Sequence, residues 1–216
     1  MTNSVWGSGE CPLSATHQGY DGLGERGHAD DYWYKNASSN DPYYGHWAEH
    51  TYADCTADYM GTNQYHNWMS SDGGTTFYFY KNGDPLYDFD DCEMWTPPDG
   101  PRRDGCHGMR LFTESRGYTV VANFNQYIYG YEGNTRGFTF SDFQSEIDAG
   151  RPVIIQVVGH SMLGYGYNAA GSIIYIHDTW DHDDHSMVWG GSYSGLQHEG
   201  VGAIQLQTSG RAGTNT

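Results

Sequence analysis

Positive charge is scarce in this chain: 10 Lys and Arg stand against 27 Asp and Glu, a formal net charge of −17. A surface that acidic repels phosphates, which argues against nucleic-acid or anionic-membrane binding. No run of 18 apolar residues is present, so no transmembrane helix is expected. The opening residues, Met1 to Trp6, lack the basic start and apolar stretch of a signal peptide. The expected form is therefore a mature, secreted chain from which a leader has been removed. Cysteine is sparse as well. Cys11, Cys55, Cys92 and Cys106 are an even number and allow three pairings if oxidised.

What the chain does have is aromatic side chains and glycine. Only 37% of residues are hydrophobic, yet 19 Tyr, 8 Phe and 7 Trp carry large buried area per residue. Thirty glycines and few charged residues favour turns and strands over long helices. At 216 residues the chain is long enough for one ordinary domain with a real core.

Residues 1–50 read as loops with short helical pieces, and Asp54 opens a helix toward Gly61. Thr75 to Tyr80 and Pro85 to Phe89, joined around Lys81-Asn82-Gly83-Asp84, predict a hairpin on the Asn-Gly signal. His107 to Ser115 reads as a helix, followed by a strand from Tyr118 to Ala122. Ser141-Asp142-Phe143-Gln144 is read as a capping box for a helix ending at Gly150. Three apolar runs follow, Val153–Val158, Met162–Tyr167 and Ile173–Ile176, then a loop and a last strand from Gly202 to Leu206. Cys92 and Cys106 bracket a loop rich in proline and glycine, which makes them the expected disulfide pair. Loop and helix material first, antiparallel sheet last, is an α+β chain.

The segment from Ile147 to Trp180 carries the chemistry. His160 heads one short strand and Asp178 ends another, so adjacent antiparallel strands would bring imidazole and carboxylate together. A carboxylate beside a histidine fixes its tautomer and supports its protonated form, as a general base requires.

The motifs AGRPV, GHSM, GYGY, HDTWD and WGGSYSG, with looser DCTADYMGTNQ and GHADDYW segments, resemble papain-like cysteine peptidases. The similarity is to secreted bacterial relatives of bacteriocin-leader-processing (double-glycine) peptidases. That resemblance implies a two-lobed papain-like domain: a loop/helix-rich lobe over 1–104, a sheet lobe over 105–208 and a disordered tail over 209–216. It also implies a Cys-His-Asp triad, with Cys55 as nucleophile, His160 as base, Asp178 as orienter and Trp180 covering the His–Asp bond. Glu49, next to His50, stands where the family's oxyanion-hole glutamine is expected, and a carboxylate there would repel a developing oxyanion. Three placements of the nucleophile stay open: Cys55, Cys11, or a Gly-Cys-Ser segment upstream of this sequence. A Cys11–Cys55 disulfide would silence both.

His177-Asp178-Thr179-Trp180-Asp181-His182-Asp183-Asp184-His185 packs three histidines and four aspartates into one loop, donors that suit zinc or calcium. The expected function is thus a secreted cysteine hydrolase acting on peptide or protein substrates with no required cofactor. The alternatives are an inactive papain-like binding module and a metal-dependent hydrolase. The oligomeric state is not readable from the sequence.

Overall fold

The computed structural model describes residues 59–60, 75–90, 104–181 and 183–207. Eight strands run through them in chain order: β1 (Leu86–Tyr87), β2 (Val120–Tyr127), β3 (Val153–Val157), β4 (His160–Asn168), β5 (Ile173–His177), β6 (His185–Val188), β7 (Ser192–Tyr193) and β8 (Leu196–Leu206). Helices α1 (Gly105–Ser115) and α2 (Phe140–Asp148) precede β2 and β3 respectively. The strands form one antiparallel sheet in the order β1-β2-β8-β3-β4-β5-β6, with β7 paired to β8. Among the described residues no helix is long and apolar enough to cross a membrane.

The core lies on one face of the sheet, because alternate residues of a strand share a face. Val153, Ile155 and Val157 of β3 join Met162, Ile174, Ile176, Val201 and Ala203 in a single cluster. Phe143 of α2 is fully buried in that cluster, which stabilises by roughly 1.5–3 kcal/mol. The helix approaches so closely at Gly164 that a Cβ there would lie 2.9 Å from both Ile155 and Phe143. A capping box starts α2, but its register differs from the expected one. Thr139 is the N-cap, its Oγ1 accepting from the Asp142 N–H while Asp142 Oδ2 accepts from the Thr139 N–H. Placing Phe140 and Phe143 against the core decides between Thr139 and Ser141, which are equally good caps.

Helix α1 packs on β2 and β8. Asn125, which alternates with core-facing Phe124 on β2, donates to the α1 N-cap, Asp104, at 2.6 Å, so α1 covers the opposite face. Asp104 also accepts from the N–H groups of Tyr78, Cys106 and His107. Burial pushes this carboxyl up to about 6, and those four donors oppose the rise.

Three expectations fail here. Thr75 to Tyr80 is not a strand, and β1 pairs with β2, so the 75–89 hairpin reduces to its turn, closed by the Gly83 N–H on Tyr80 O. Cys106 is a free, buried thiol donating to the carbonyls of Phe124 and Ala203, so no Cys92–Cys106 bridge forms. The stretch expected to be one loop after Ile176 holds β6 and β7, and β8 begins six residues before Gly202, at Leu196.

Strand β4 carries a bulge. Gly164 faces Ile176 and Gly166 faces Tyr175, leaving Tyr165 as the extra residue. Ahead of it His160, Met162 and Gly164 share the core side; beyond it Tyr167 does, packing on Phe140.

Candidate active site

His160 and Asp178 meet at one end of the sheet. The two-residue turn Val158–Gly159 joins β3 to β4, with Gly159 at φ +84, a conformation that costs glycine little. His160 is therefore the first residue of β4, paired with Val157. Asp178 directly follows β5, the neighbouring strand.

The contact between them is not the expected one. His160 Nε2 lies 2.6 Å from the main-chain oxygen of Asp178, and Thr179 Oγ1 is 3.3 Å from the same nitrogen. A carbonyl oxygen only accepts, so Nε2 carries the proton and Nδ1 holds the lone pair. Among the described residues nothing hydrogen-bonds Nδ1. Trp180 lies against one face of the ring, centroids 4.6 Å apart and planes within 24°. The half-buried imidazole is thus held at one edge, covered on one face and available as a base at Nδ1.

The Asp178 carboxylate points elsewhere. Its Oδ1 accepts from the Trp180 N–H at 2.9 Å and its Oδ2 from the Tyr193 hydroxyl at 2.7 Å. Burial would raise its pKa, but those two donors, the nearby charge of His185 and the Asp181 N–H hold it below the ordinary value. Burial and the same hydrogen bond push Tyr193 up to about 12. Between Asp178 and Trp180, Thr179 sits at φ +70, a left-handed conformation costing about 1–3 kcal/mol in a β-branched residue. The Asp178 side chain closes that turn through Trp180 and offsets the strain. Trp180 continues the stack onto Tyr193 at 5.7 Å.

The acidic loop divides into two groups. Asp178, Asp181 and His185 bring ligand-type atoms within 4.8 Å of one another, with His185 Nε2 at 2.8 Å from Asp181. The hydrogen bond to Asp181 raises the pKa of His185 and lowers that of Asp181. His177 stacks on Tyr165, whose hydroxyl donates to Asp184. His182 lies outside the described residues.

Two other histidines resemble functional groups and are not free to act. His107 has both ring nitrogens on carboxylates, Asp88 at 2.9 Å and Asp90 at 3.3 Å. His198 is fully buried and accepts from the Gly190 N–H; burial lowers its pKa to about 4, so it stays neutral. Cys106 is unsuited to attack. Burial and the charge of Asp104 push its thiol far above the ordinary range.

Cys55, Cys11, Glu49, His50 and Cys92 lie outside the described residues. The structure therefore brings together His160, Asp178 and Trp180 of the expected set, and adds Thr179 and Tyr193. Neither addition was foreseen: Tyr193 sits in the WGGSYSG segment, but no spacing marks one tyrosine among 19 as a partner of Asp178.

Residues 93–194 match the model of the Peptidase C39 like family. That span contains His160, Asp178, Trp180 and Tyr193, and neither Cys11 nor Cys55. The chain matches no curated protein and no solved structure.

Proposed function

We propose, from the match of residues 93–194 to the Peptidase C39 like family, that this protein is a cysteine peptidase working outside the cell on extended peptide substrates. The observation that carries the reading is the state of His160: Nε2 on Asp178 O, one face against Trp180, and Nδ1 without a hydrogen bond among the described residues. A base poised in this way needs a thiol in front of Nδ1, and Cys55 is the residue we assign to it. Nδ1 takes the thiol proton as sulfur attacks the amide carbon. It then gives that proton to the departing amine, leaving a thioester. Water, deprotonated by the same nitrogen, releases the acid and restores the thiol.

The test is turnover of quenched-fluorescence peptide libraries together with iodoacetamide labelling of the native protein. Turnover should vanish in Cys55→Ala and in His160→Gln, with Cys55 the fastest-labelled thiol. Loss of turnover in Cys11→Ala with Cys55→Ala active would move the nucleophile. No thiol-dependent turnover in any preparation would sink the peptidase and favour a peptide-binding module without catalysis.

One observation favours a second reading. The convergence of Asp178, Asp181 and His185 supplies two carboxylates and an imidazole, a donor set that suits zinc, for a metal-dependent hydrolase. Chelator-sensitive turnover that survives alkylation of every thiol would select it.

A further inference from the structure

We infer that Tyr193 and Asp178 together form a positioning device that orients His160 through a main-chain carbonyl, with the carboxylate serving as anchor of the turn and not as the partner of the imidazole. The inference rests on the reading of His160 as the base and deepens it. Five contacts carry it. The Tyr193 hydroxyl holds Asp178 Oδ2 at 2.7 Å, and the Trp180 N–H holds Oδ1 at 2.9 Å. Both carboxylate oxygens are thereby occupied on a residue that is 2% exposed. The Asp178 carbonyl is left facing His160 Nε2 at 2.6 Å, and Trp180, itself stacked between the His160 and Tyr193 rings, sets the height of the imidazole.

The chain of cause runs from Tyr193 on β7, through the Asp178 carboxylate, to the left-handed Thr179 turn, and so to the direction of the Asp178 carbonyl. Residues in a left-handed, non-glycine conformation persist only where their surroundings over-determine them. Here the over-determination comes from a strand late in the chain, which folds back to close a turn made by β5. Tyr193 touches no reacting atom; it acts through Asp178.

This arrangement separates two substitutions that a carboxylate–imidazole pair would not. Asn at 178 keeps an acceptor for the Trp180 N–H and can donate its amide to the Tyr193 oxygen, so the carbonyl stays where it is. Phe at 193 keeps the stack on Trp180 and deletes only the hydroxyl, so the carboxylate is released and the turn loosens.

The experiment is long-range 1H–15N NMR of the His160 ring in the full chain, recorded well above neutrality, on wild type, Asp178→Asn and Tyr193→Phe. Wild type and Asp178→Asn are expected to show the Nε2–H tautomer alone, while Tyr193→Phe shows a severalfold rise in the Nδ1–H form. If the carboxylate were the true partner, Tyr193→Phe would free it to bind the ring and the tautomer would not change. That result, or a tautomer change in Asp178→Asn with wild-type circular dichroism, overturns the inference. Should Asp178→Asn fail to fold, the Tyr193→Phe spectrum decides alone. In turnover, Tyr193→Phe should lower kcat about tenfold at unchanged KM, the size expected for a misdirected base. The tautomer spectra judge the positioning even if wild type turns over no peptide, an outcome that would bear on the peptidase reading alone.

Discussion

Cys106 is the sharpest test of which thiols are available for chemistry. The residue is 1% exposed, and its sulfur lies 3.5 Å from Ala203 O and 3.6 Å from Phe124 O, in the seam between α1 and the sheet. Burial and the Asp104 charge both disfavour its thiolate, the only form that reacts with iodoacetamide. Labelling must therefore wait for the domain to open. For a stability of about 5 kcal/mol the open fraction is roughly one part in 5,000, and the labelling rate should fall by about that factor against the unfolded chain. Iodoacetamide time courses in native buffer and in guanidinium, read by peptide mapping of all four cysteines, measure the ratio. A native rate within about tenfold of the unfolded rate would refute the placement of α1 on the sheet, because no seat sealed by 5 kcal/mol leaks so fast. A Cys92–Cys106 disulfide in the non-reducing map would refute it as directly. The companion variant, Cys106→Ala, should cost about 1 kcal/mol and leave any thiol-dependent turnover in place.

Three further outcomes follow from the geometry. Asp104→Ala removes the α1 cap, worth about 1 kcal/mol, and strips an acceptor from the Tyr78 N–H and Asn125, each costing about 1 kcal/mol or more, so urea titration should show a loss of about 3 kcal/mol. Gly164→Ala forces a methyl against Ile155 and Phe143 and should cost about 1–3 kcal/mol in the same assay, while Gly117→Ala, with no atom within 4 Å of its Cβ, meets only backbone strain. The His185–Asp181 contact should be bounded in pH on both sides. His185 is raised above 6.5, so its share of loop stability is complete below 6.5 and is lost as pH rises through the raised value; Asp181 is lowered below 3.8, so its share is complete above 3.8 and is lost as pH falls through the lowered value. Ring resonances of His185 followed across pH check both edges, and His185→Gln should abolish the alkaline one.

The strands from Val153 to His177 were legible because each apolar run is short and punctuated by glycine or a polar turn, and β3 and β5 are rich in Val and Ile. That alone placed His160 at a strand start and Asp178 at a strand end. The edges of the sheet were not legible. β6 is His-Ser-Met-Val beside an acidic run, and its hydrophobic pattern amounts to one buried residue, Met187. β1 is two residues whose partner is nearly forty positions away on β2, so the local Asn-Gly signal pointed to the wrong neighbour. The contact at His160 was out of reach for a different reason. A main-chain oxygen is common to every residue, and only the left-handed turn at Thr179 aims this one.

The bulge at Tyr165 sets which side of the sheet the base occupies. Side chains along a strand alternate with a period of two, so one surplus residue inverts the alternation for everything on one side of it. The far end of β4 is pinned independently, by Tyr167 against Phe140 and by its hydroxyl on Asp148 at 2.8 Å. A regular strand pinned at that end, with Tyr165 absorbed into the ladder, would carry His160, with Met162, to the opposite surface. The imidazole would then be separated from Trp180 by the thickness of the sheet. Its position is in this sense a matter of parity: one residue left out of the ladder decides whether histidine and tryptophan share a surface at all.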